Sequence, residues 1–290
     1  MSRLGALKRP VKSWLRGLHL EVVLPPSRRL TDLRHSRLHR YALPPDVAST
    51  LDAPGPSAMF VDLDRIVNRA GFGYGASAWH PFVAALHEHL DDPELPYEQT
   101  VLCAFYDRFQ PRTVHDLLFD DPVEPRRVLA TWPAIEPLVD VWPVTSAHVR
   151  DTKTRAAGSA FPHSQYRGPT SELFGATHLR RIVETYESLR REGYRPDRYG
   201  YASGYFVTDG CDYRFVLGHG NHRVAALSVL GERQVAVVFR EAHPPVVSMQ
   251  RLRRWTTEHG GMLDEAEARA VCHQLLHGDS VRRARALALA

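Results

Sequence analysis

Six consecutive residues, Gly218-His219-Gly220-Asn221-His222-Arg223, combine the residue types that hold a phosphate group. Gly218 and Gly220 permit close backbone approach, Asn221 is a good helix cap, and His222 and Arg223 supply cationic side chains. At a helix start, which already carries about half a positive charge, cations are unfavourable unless an anion joins them. A phosphate resolves the conflict, because free N–H groups, the helix dipole and a guanidinium fork would all point at it. The plainer alternative is a strand-to-helix turn with an exposed His-Arg pair, since glycine-flanked helix starts are common. His219 and His222 are three apart, as helical metal ligands often are, but no third ligand stands at a recognisable spacing. No protein-held metal is therefore expected.

The flanking segments predict how this hexapeptide is held. An apolar run, Tyr213 to Leu217, leads into it. A helical pattern, Arg223 to Leu230, follows, stops at Gly231, and gives way to the β-branched run Val235 to Phe239. Upstream, Tyr201 to Val207 alternates as a strand, and Asp209-Gly210 is the turn between it and the next. A helix is expected from Gly175 to Glu192, with Leu179, Ile182, Tyr186 and Leu189 as its buried stripe and Gly193 as its stop. The polar stretch 151–174 before it is long enough to be functional. Nearer the N-terminus, Met59 to Leu63 reads as a short strand, and Pro81 to Leu90 and Tyr97 to Phe109 read as helices. The second of these carries Val101, Leu102, Phe105, Tyr106 and Phe109 on one side. Thr113 to Leu118 suggests a further helical turn, and Trp132 and Trp142 lie in proline-rich connections. Leu263 to His277 reads as a last helix, with Ser280 to Ala290 frayed or loosely helical.

Patterning switches from helical to period 2 near Arg195. This predicts an α+β protein, with a small mixed sheet in residues 195–240, helices packed on it and an α-rich region before it. The division expected is a basic arm and proline-rich tether (1–57), an α-rich domain (58–150), a phosphate-binding module (151–245) and C-terminal helices (246–290).

Composition narrows the class. A chain of 290 residues that is 43% hydrophobic can bury one large core or two modest ones. No run approaches the roughly 18 apolar residues of a membrane span, and the N-terminus has no apolar signal-peptide core. Cys103, Cys211 and Cys272 are an odd, scattered set without a CxxC. That speaks against a disulfide framework and a zinc knuckle, and suits a reducing cytoplasm. The net charge of +4 is unevenly spread: residues 1–40 hold ten Lys/Arg against Glu21 and Asp32. Within that arm Leu4, Leu7, Val11, Trp14, Leu15 and Leu18 recur at helical spacing. This suits either peripheral membrane contact through residues 1–20 or an ordinary helix packed on the body, with Pro10 kinking it. Arg251, Arg253, Arg254 and Trp255 could meet nucleic acid. A helix around a buried Trp255 is the simpler reading, and nucleic acid is the less favoured partner.

The order of these pieces resembles a known family. A helix ending Glu187-Ser188-Leu189, then Gly193-Tyr194, a two-strand unit, Gly220-Asn221-His222-Arg223 opening a helix and Leu230-Gly231 closing it are similar to the ParB/sulfiredoxin superfamily, over about residues 166–240. The chain is also similar to uncharacterised proteins encoded among surface-glycan genes, which share a helix ending in Phe-Gln-Pro (here Phe109-Gln110-Pro111). The resemblance implies nucleotide phosphates bound on Gly218, Gly220, Asn221, His222 and Arg223. Sulfiredoxins carry a nucleophilic cysteine where this chain has Asn221, so sulfinic acid repair is not expected. The DNA-segregation members read Gly-Glu-Arg-Arg and continue into a helix-turn-helix domain, for which only about fifty residues remain here. The small-molecule kinase branch, with Asp-Gly-x-His-Arg, matches best.

That branch implies phosphoryl transfer from ATP (or ADP or CTP), with Mg²⁺ carried by the nucleotide, to a hydroxyl of a small metabolite or glycan precursor. His219 stands where the kinase branch has aspartate. Either His219 replaces that base or another group acts, Glu172 being the carboxylate alternative and a solvated helix-entry residue its plain reading. The expected setting is cytoplasmic, with peripheral membrane association through the arm. A non-catalytic nucleotide-sensing or DNA-associated ParB-like protein is the alternative from a different functional class.

Overall fold

Alternation in two central strands decides the layering. Along β5 (Tyr213–His219), Phe215 and Leu217 enter one buried cluster and Val216 enters another. Along β4 (Ala202–Thr208), Phe206 opposes Tyr205 and Val207 in the same way. Successive strand side chains point to opposite faces, so the sheet is covered on both sides. The structure, a computed structural model, describes residues 31–32, 57–111, 114–119, 165–239, 246–253, 256 and 263–290. The basic arm with its residues 1–20, the proline-rich tether, Trp132, Trp142, residues 151–164, Arg254 and Trp255 lie outside the described residues.

The protein is α+β, with a mixed sheet of order β1-β2-β6-β4-β5-β3. Its remaining strands are β1 (Thr31–Asp32), β2 (Ser57–Asp62), β3 (Ile66–Asn68), β6 (Gln234–Phe239) and β7 (Val246–Ser248). β2 runs antiparallel to β6 and β4 antiparallel to β5, whereas β6 runs parallel to β4 and β3 parallel to β5. β7 continues along the edge of β4 beyond the end of β6. Only the 3₁₀ turn Leu63–Arg65 separates β2 from β3, yet four strand spacings lie between them in the sheet. Four spacings of a flat sheet span about 19 Å, while the chain from Asp62 to Ile66 reaches at most about 14 Å. The sheet is therefore curled until β2 and β3 approach.

Four helices cover one face. They are α1 (Pro81–Asp91), α2 (Val101–Arg108), α4 (Glu172–Glu192) and α6 (Asn221–Val229), which bury Phe82 and Leu86, Leu102 and Phe105, Ile182 and Tyr186, and Val224 and Leu227. α3 (Val114–Leu118) and the single turn α5 (Pro196–Tyr199) are connectors. α7 (Glu265–His277) covers the other face through Ala268, Val271, Cys272 and Leu275. No helix among the described residues is long and apolar enough to cross a membrane.

Three expectations change. The sheet is not confined to residues 195–240: β2 and β3, from the region read as a separate α-rich domain, form its two flanks, and α1 and α2 share a core with α4 and α6. Short amphipathic helices cannot close a core alone, and here the sheet and α4 complete it. Second, the helix read from Tyr97 to Phe109 is a 3₁₀ turn followed by α2, restarted at Thr100, whose side chain accepts from Cys103 N–H. Third, of the two readings of the tail, frayed or loosely helical, the helical one holds and is firmer than expected: α8 (Ser280–Ala286) is capped by Asp279, with Arg283 only 4% exposed.

Arg283 pins that helix to the body. Its guanidinium lies 5.1 Å from the Phe72 ring centroid and 4.9 Å from that of Phe109, and it donates to the carbonyls of Ala70 and Asp116. Arg283→Met should destabilise the fold by about 2–4 kcal/mol, from lost cation–π attraction and two carbonyls deprived of a charged donor. Arg283→Lys should recover less than half, because an ammonium cannot stack and fork together. Urea unfolding measures both; a neutral Arg283→Met would remove the clamp from this account.

Candidate functional site

Parallel pairing of β3 with β5 ends at Asn68 opposite Leu217, so the loops after both strands leave at the same end of the sheet. One loop carries Arg69 to Trp79; the other is the glycine turn. Gly220 forms the N-cap of α6 with φ +95°, a left-handed conformation that suits glycine, and a Cβ there would lie 3.1 Å from Ala202 Cα. Gly220 has no side chain with which to cap the first N–H groups of α6, and no side chain among the described residues caps them. The expectation that Asn221 caps the helix is thus corrected: Asn221 is the first helical residue, 3% exposed, and its amide turns inward.

Four of the nine buried polar side chains described, Asn68, His80, His178 and Asn221, gather around this helix start. Buried polar groups need partners, and two networks provide them. In the first, Tyr74 hydroxyl donates to Asn221 Oδ1 at 2.6 Å, Asn221 Nδ2 donates to Tyr166 hydroxyl at 3.2 Å, and that hydroxyl donates to Gly218 carbonyl at 3.3 Å. Tyr74 stacks on His80 at 4.0 Å, and burial pushes the Tyr74 hydroxyl far above its usual pKa. His80 Nδ1 accepts from Phe82 N–H, and its Nε2 lies 3.2 Å from Asn68 Nδ2. Asn68 Oδ1 accepts from the N–H groups of Ala70 and Phe72, which fixes the loop after β3. Arg69, next in that loop, donates to Gly218 carbonyl and lies over the Tyr166 ring. Its Nε is buried and makes no hydrogen bond among the described residues.

The second network joins helices. His222 Nε2 and His178 Nε2 are 2.6 Å apart, and His178 Nδ1 is 2.5 Å from the Tyr106 hydroxyl. Phe82 meets both imidazoles edge-on. Burial, helped by the Arg181 and Arg223 charges, lowers the His222 pKa to about 4. Burial, then His222 and Arg181, lowers that of His178 as well. Both rings are therefore neutral at pH 7, which corrects the expectation of a charged His222 in the free protein.

The other sequence candidates fall in three places. Arg223 does not stand open: its guanidinium donates to the carbonyls of Tyr199, Gly200 and Tyr201, holding the loop between α5 and β4 against the turn. His219 ends β5 opposite Ser203, with an exposed side chain. Glu172 is exposed and is not in a loop; Ser171 caps α4 and the helix starts at Glu172, three residues before the expected Gly175. Six residues before His178, Glu172 lies about 9 Å away along the axis and about 120° around it. The structure thus brings Gly218, Gly220, Asn221, His222 and Arg223 together, leaves His219 at their rim and sets Glu172 apart.

Tyr74, Tyr166, Asn68, Arg69, His80 and His178 were missed in the sequence reading. His178 had a signal: with Gly175, Ile182, Tyr186 and Leu189 it completes the buried stripe of α4, and a histidine on an apolar stripe needs a polar partner from elsewhere. The tyrosines carried none, since buried aromatics are ordinary. No group of three or more His, Cys, Asp or Glu suited to a metal ion occurs among the described residues. Comparison with protein-family models, curated proteins and solved structures gives no significant match.

The depressed histidines tie stability to pH. For His222 the folded pKa, about 4, lies below the ordinary value of 6.5, so between those values the unfolded chain binds more protons. Its contribution is complete above pH 6.5 and is lost as pH falls towards 4, by on the order of 3 kcal/mol at full extent. Urea midpoints should therefore drop between pH 6.5 and 5, before most carboxylates titrate, and His222→Gln should flatten that slope. A flat native profile there would contradict neutral, buried imidazoles.

Proposed function

We propose that the open start of α6 binds the phosphates of a nucleotide, and that the protein transfers a phosphoryl group from it to a hydroxyl of a small metabolite or surface-glycan precursor. The observation that carries the binding step is the combination at this helix start. Its first N–H groups lack a side-chain cap, the charges acting on His222 are Arg181 and Arg223, and the buried Arg69 Nε lacks a partner among the described residues. All three supply positive potential or free donors, which a phosphate would satisfy. The similarity of the hexapeptide to the kinase branch of the ParB/sulfiredoxin superfamily supports the same reading, with ATP, ADP or CTP as donor and nucleotide-borne Mg²⁺ between its phosphates.

In this reading the backbone of Gly220 to Arg223 positions the terminal phosphate, and the Arg223 clamp keeps the α5–β4 loop at the rim. The acceptor hydroxyl attacks the terminal phosphorus as the bond to the bridging oxygen breaks, releasing the shortened nucleotide. The hydroxyl proton passes to His219, exposed at the end of β5. Glu172, an exposed residue on another face of α4, is the weaker base. Such chemistry belongs in the cytoplasm, where nucleotides are plentiful, and the free Cys103, Cys211 and Cys272 suit it. Residues 1–20 would give peripheral contact with a membrane carrying the acceptor.

ATP, ADP or CTP at 100 times its Kd should stabilise the protein by about 2.7 kcal/mol in a thermal-shift measurement. Arg223→Ala should weaken that binding, by removing a positive charge beside the helix start and releasing the α5–β4 loop from the rim. Nucleotide consumption should require an added hydroxyl acceptor, fall about 10²–10⁴-fold in His219→Ala and persist in His219→Asp. Binding without consumption across a panel of acceptors would turn the assignment to nucleotide sensing. Salt-dependent DNA binding lost on deleting residues 1–40 would favour the DNA-associated class.

A further inference from the structure

The imidazoles beside the turn differ in what a proton could do to them. His80 is closed in, with Phe82 N–H on Nδ1, the Asn68 amide at Nε2 and Tyr74 stacked on its ring. The His178–His222 pair is not closed. Two ring nitrogens 2.6 Å apart must have one proton between them, and either ring can be its donor. Behind the pair, His178 Nδ1 meets the Tyr106 hydroxyl, which also reaches the Gln165 carbonyl at 3.2 Å. At the front, His222 Nδ1 makes no hydrogen bond to any described residue.

The neutral pair carries two ring protons, one on each ring, and the chain can absorb a third without stranding a donor at its buried end. The Tyr106 hydroxyl turns to Gln165 carbonyl, His178 Nδ1–H donates to the Tyr106 oxygen, and the shared proton stays between the two Nε2 atoms. The one new requirement is an acceptor for His222 Nδ1–H, at the second residue of α6.

We propose that the Tyr106–His178–His222 chain is a proton store for the anion site: when a phosphate group docks at the start of α6, the imidazole pair takes up one proton from solvent. His222 then meets the phosphate as half of a shared imidazolium. The inference rests on the phosphate-binding reading above and specifies its chemistry. Arg181 on α4 and Arg223 on α6 bear on the pair, and both oppose its protonation in the free protein. α2 contributes the neutral Tyr106, and α1 the edge of Phe82 and its capping His80, which burial keeps neutral. A dianion at the helix start cancels the two guanidinium charges and reverses the balance. His178, about two turns into a different helix, is thereby a positioning residue for His222.

Histidine-labelled protein, observed by ¹⁵N NMR at pH 7.5 with and without ATP, tests this directly. In the free protein both rings should be neutral. With ATP, amide signals of residues 221–223 should shift, and one ring of the pair should show both nitrogens protonated, about one proton per ATP bound. His178→Gln should keep the amide shifts and lose the proton uptake. Amide shifts with both rings still neutral would overturn the proton store and leave phosphate binding intact. Uptake undiminished in His178→Gln would remove His178 from it. No shift with ATP, ADP or CTP would overturn both readings.

Discussion

The buried amide of Asn221 organises this end of the molecule. At 3% exposure it has to find a donor for its oxygen and an acceptor for its nitrogen, and it finds them on segments 147 and 55 residues away, in Tyr74 and Tyr166. An unsatisfied buried amide would cost on the order of 1–3 kcal/mol. The contacts that satisfy it draw the loop after β3, the segment before α4 and the start of α6 into one place. Because the Asn221 side chain is committed inward, it does not cap its helix. That leaves the first N–H groups of α6 without a side-chain partner among the described residues, the property on which the proposed anion binding rests.

Around that opening the electrostatics are one-sided. Arg181 and Arg223 both act on His222, and Arg69 brings a buried, unmatched donor to the same turn. Burial and these charges together make the two facing imidazoles neutral, which stores a response rather than a charge. In the proposed anion site, an arriving phosphate would meet groups that can become more positive. Phosphate recognition by fixed cations alone would lack that dependence on the ligand's charge. The Arg223 fork, tied to three backbone carbonyls, shapes the rim instead of waiting in solvent.

The curled sheet explains how separate segments meet at the start of α6. A short turn between β2 and β3 forces those two strands together, and β3 with the loop after it delivers Asn68 and Arg69 beside Gly218. α1, α2 and α4 then pack on the same face as α6 and bring His80, Tyr106 and His178. The described parts of residues 58–119 are thus one side of the candidate site, where the sequence suggested a separate α-rich region with one short strand, Met59 to Leu63.

Local information sufficed for the elements that frame the glycine turn, though not for β3 or β7. The period-2 runs at β4, β5 and β6, the 3.6-period stripe of α4 and the glycines flanking α6 are written in neighbouring residues, because strand and helix periodicity and positive φ are local constraints. They were enough to give an α+β class and to single out Gly218 to Arg223. Which way Asn221 points, what Arg223 binds and whether His222 carries a charge were beyond the sequence, since each depends on groups brought from 22 to 147 residues away. Burial sets a pKa and an amide's partners, and burial is a property of the packed chain. His178 shows the boundary between the two. Its place on the apolar stripe of α4 was legible, but its partners, Tyr106 and His222, exist only once α2, α4 and α6 are packed together.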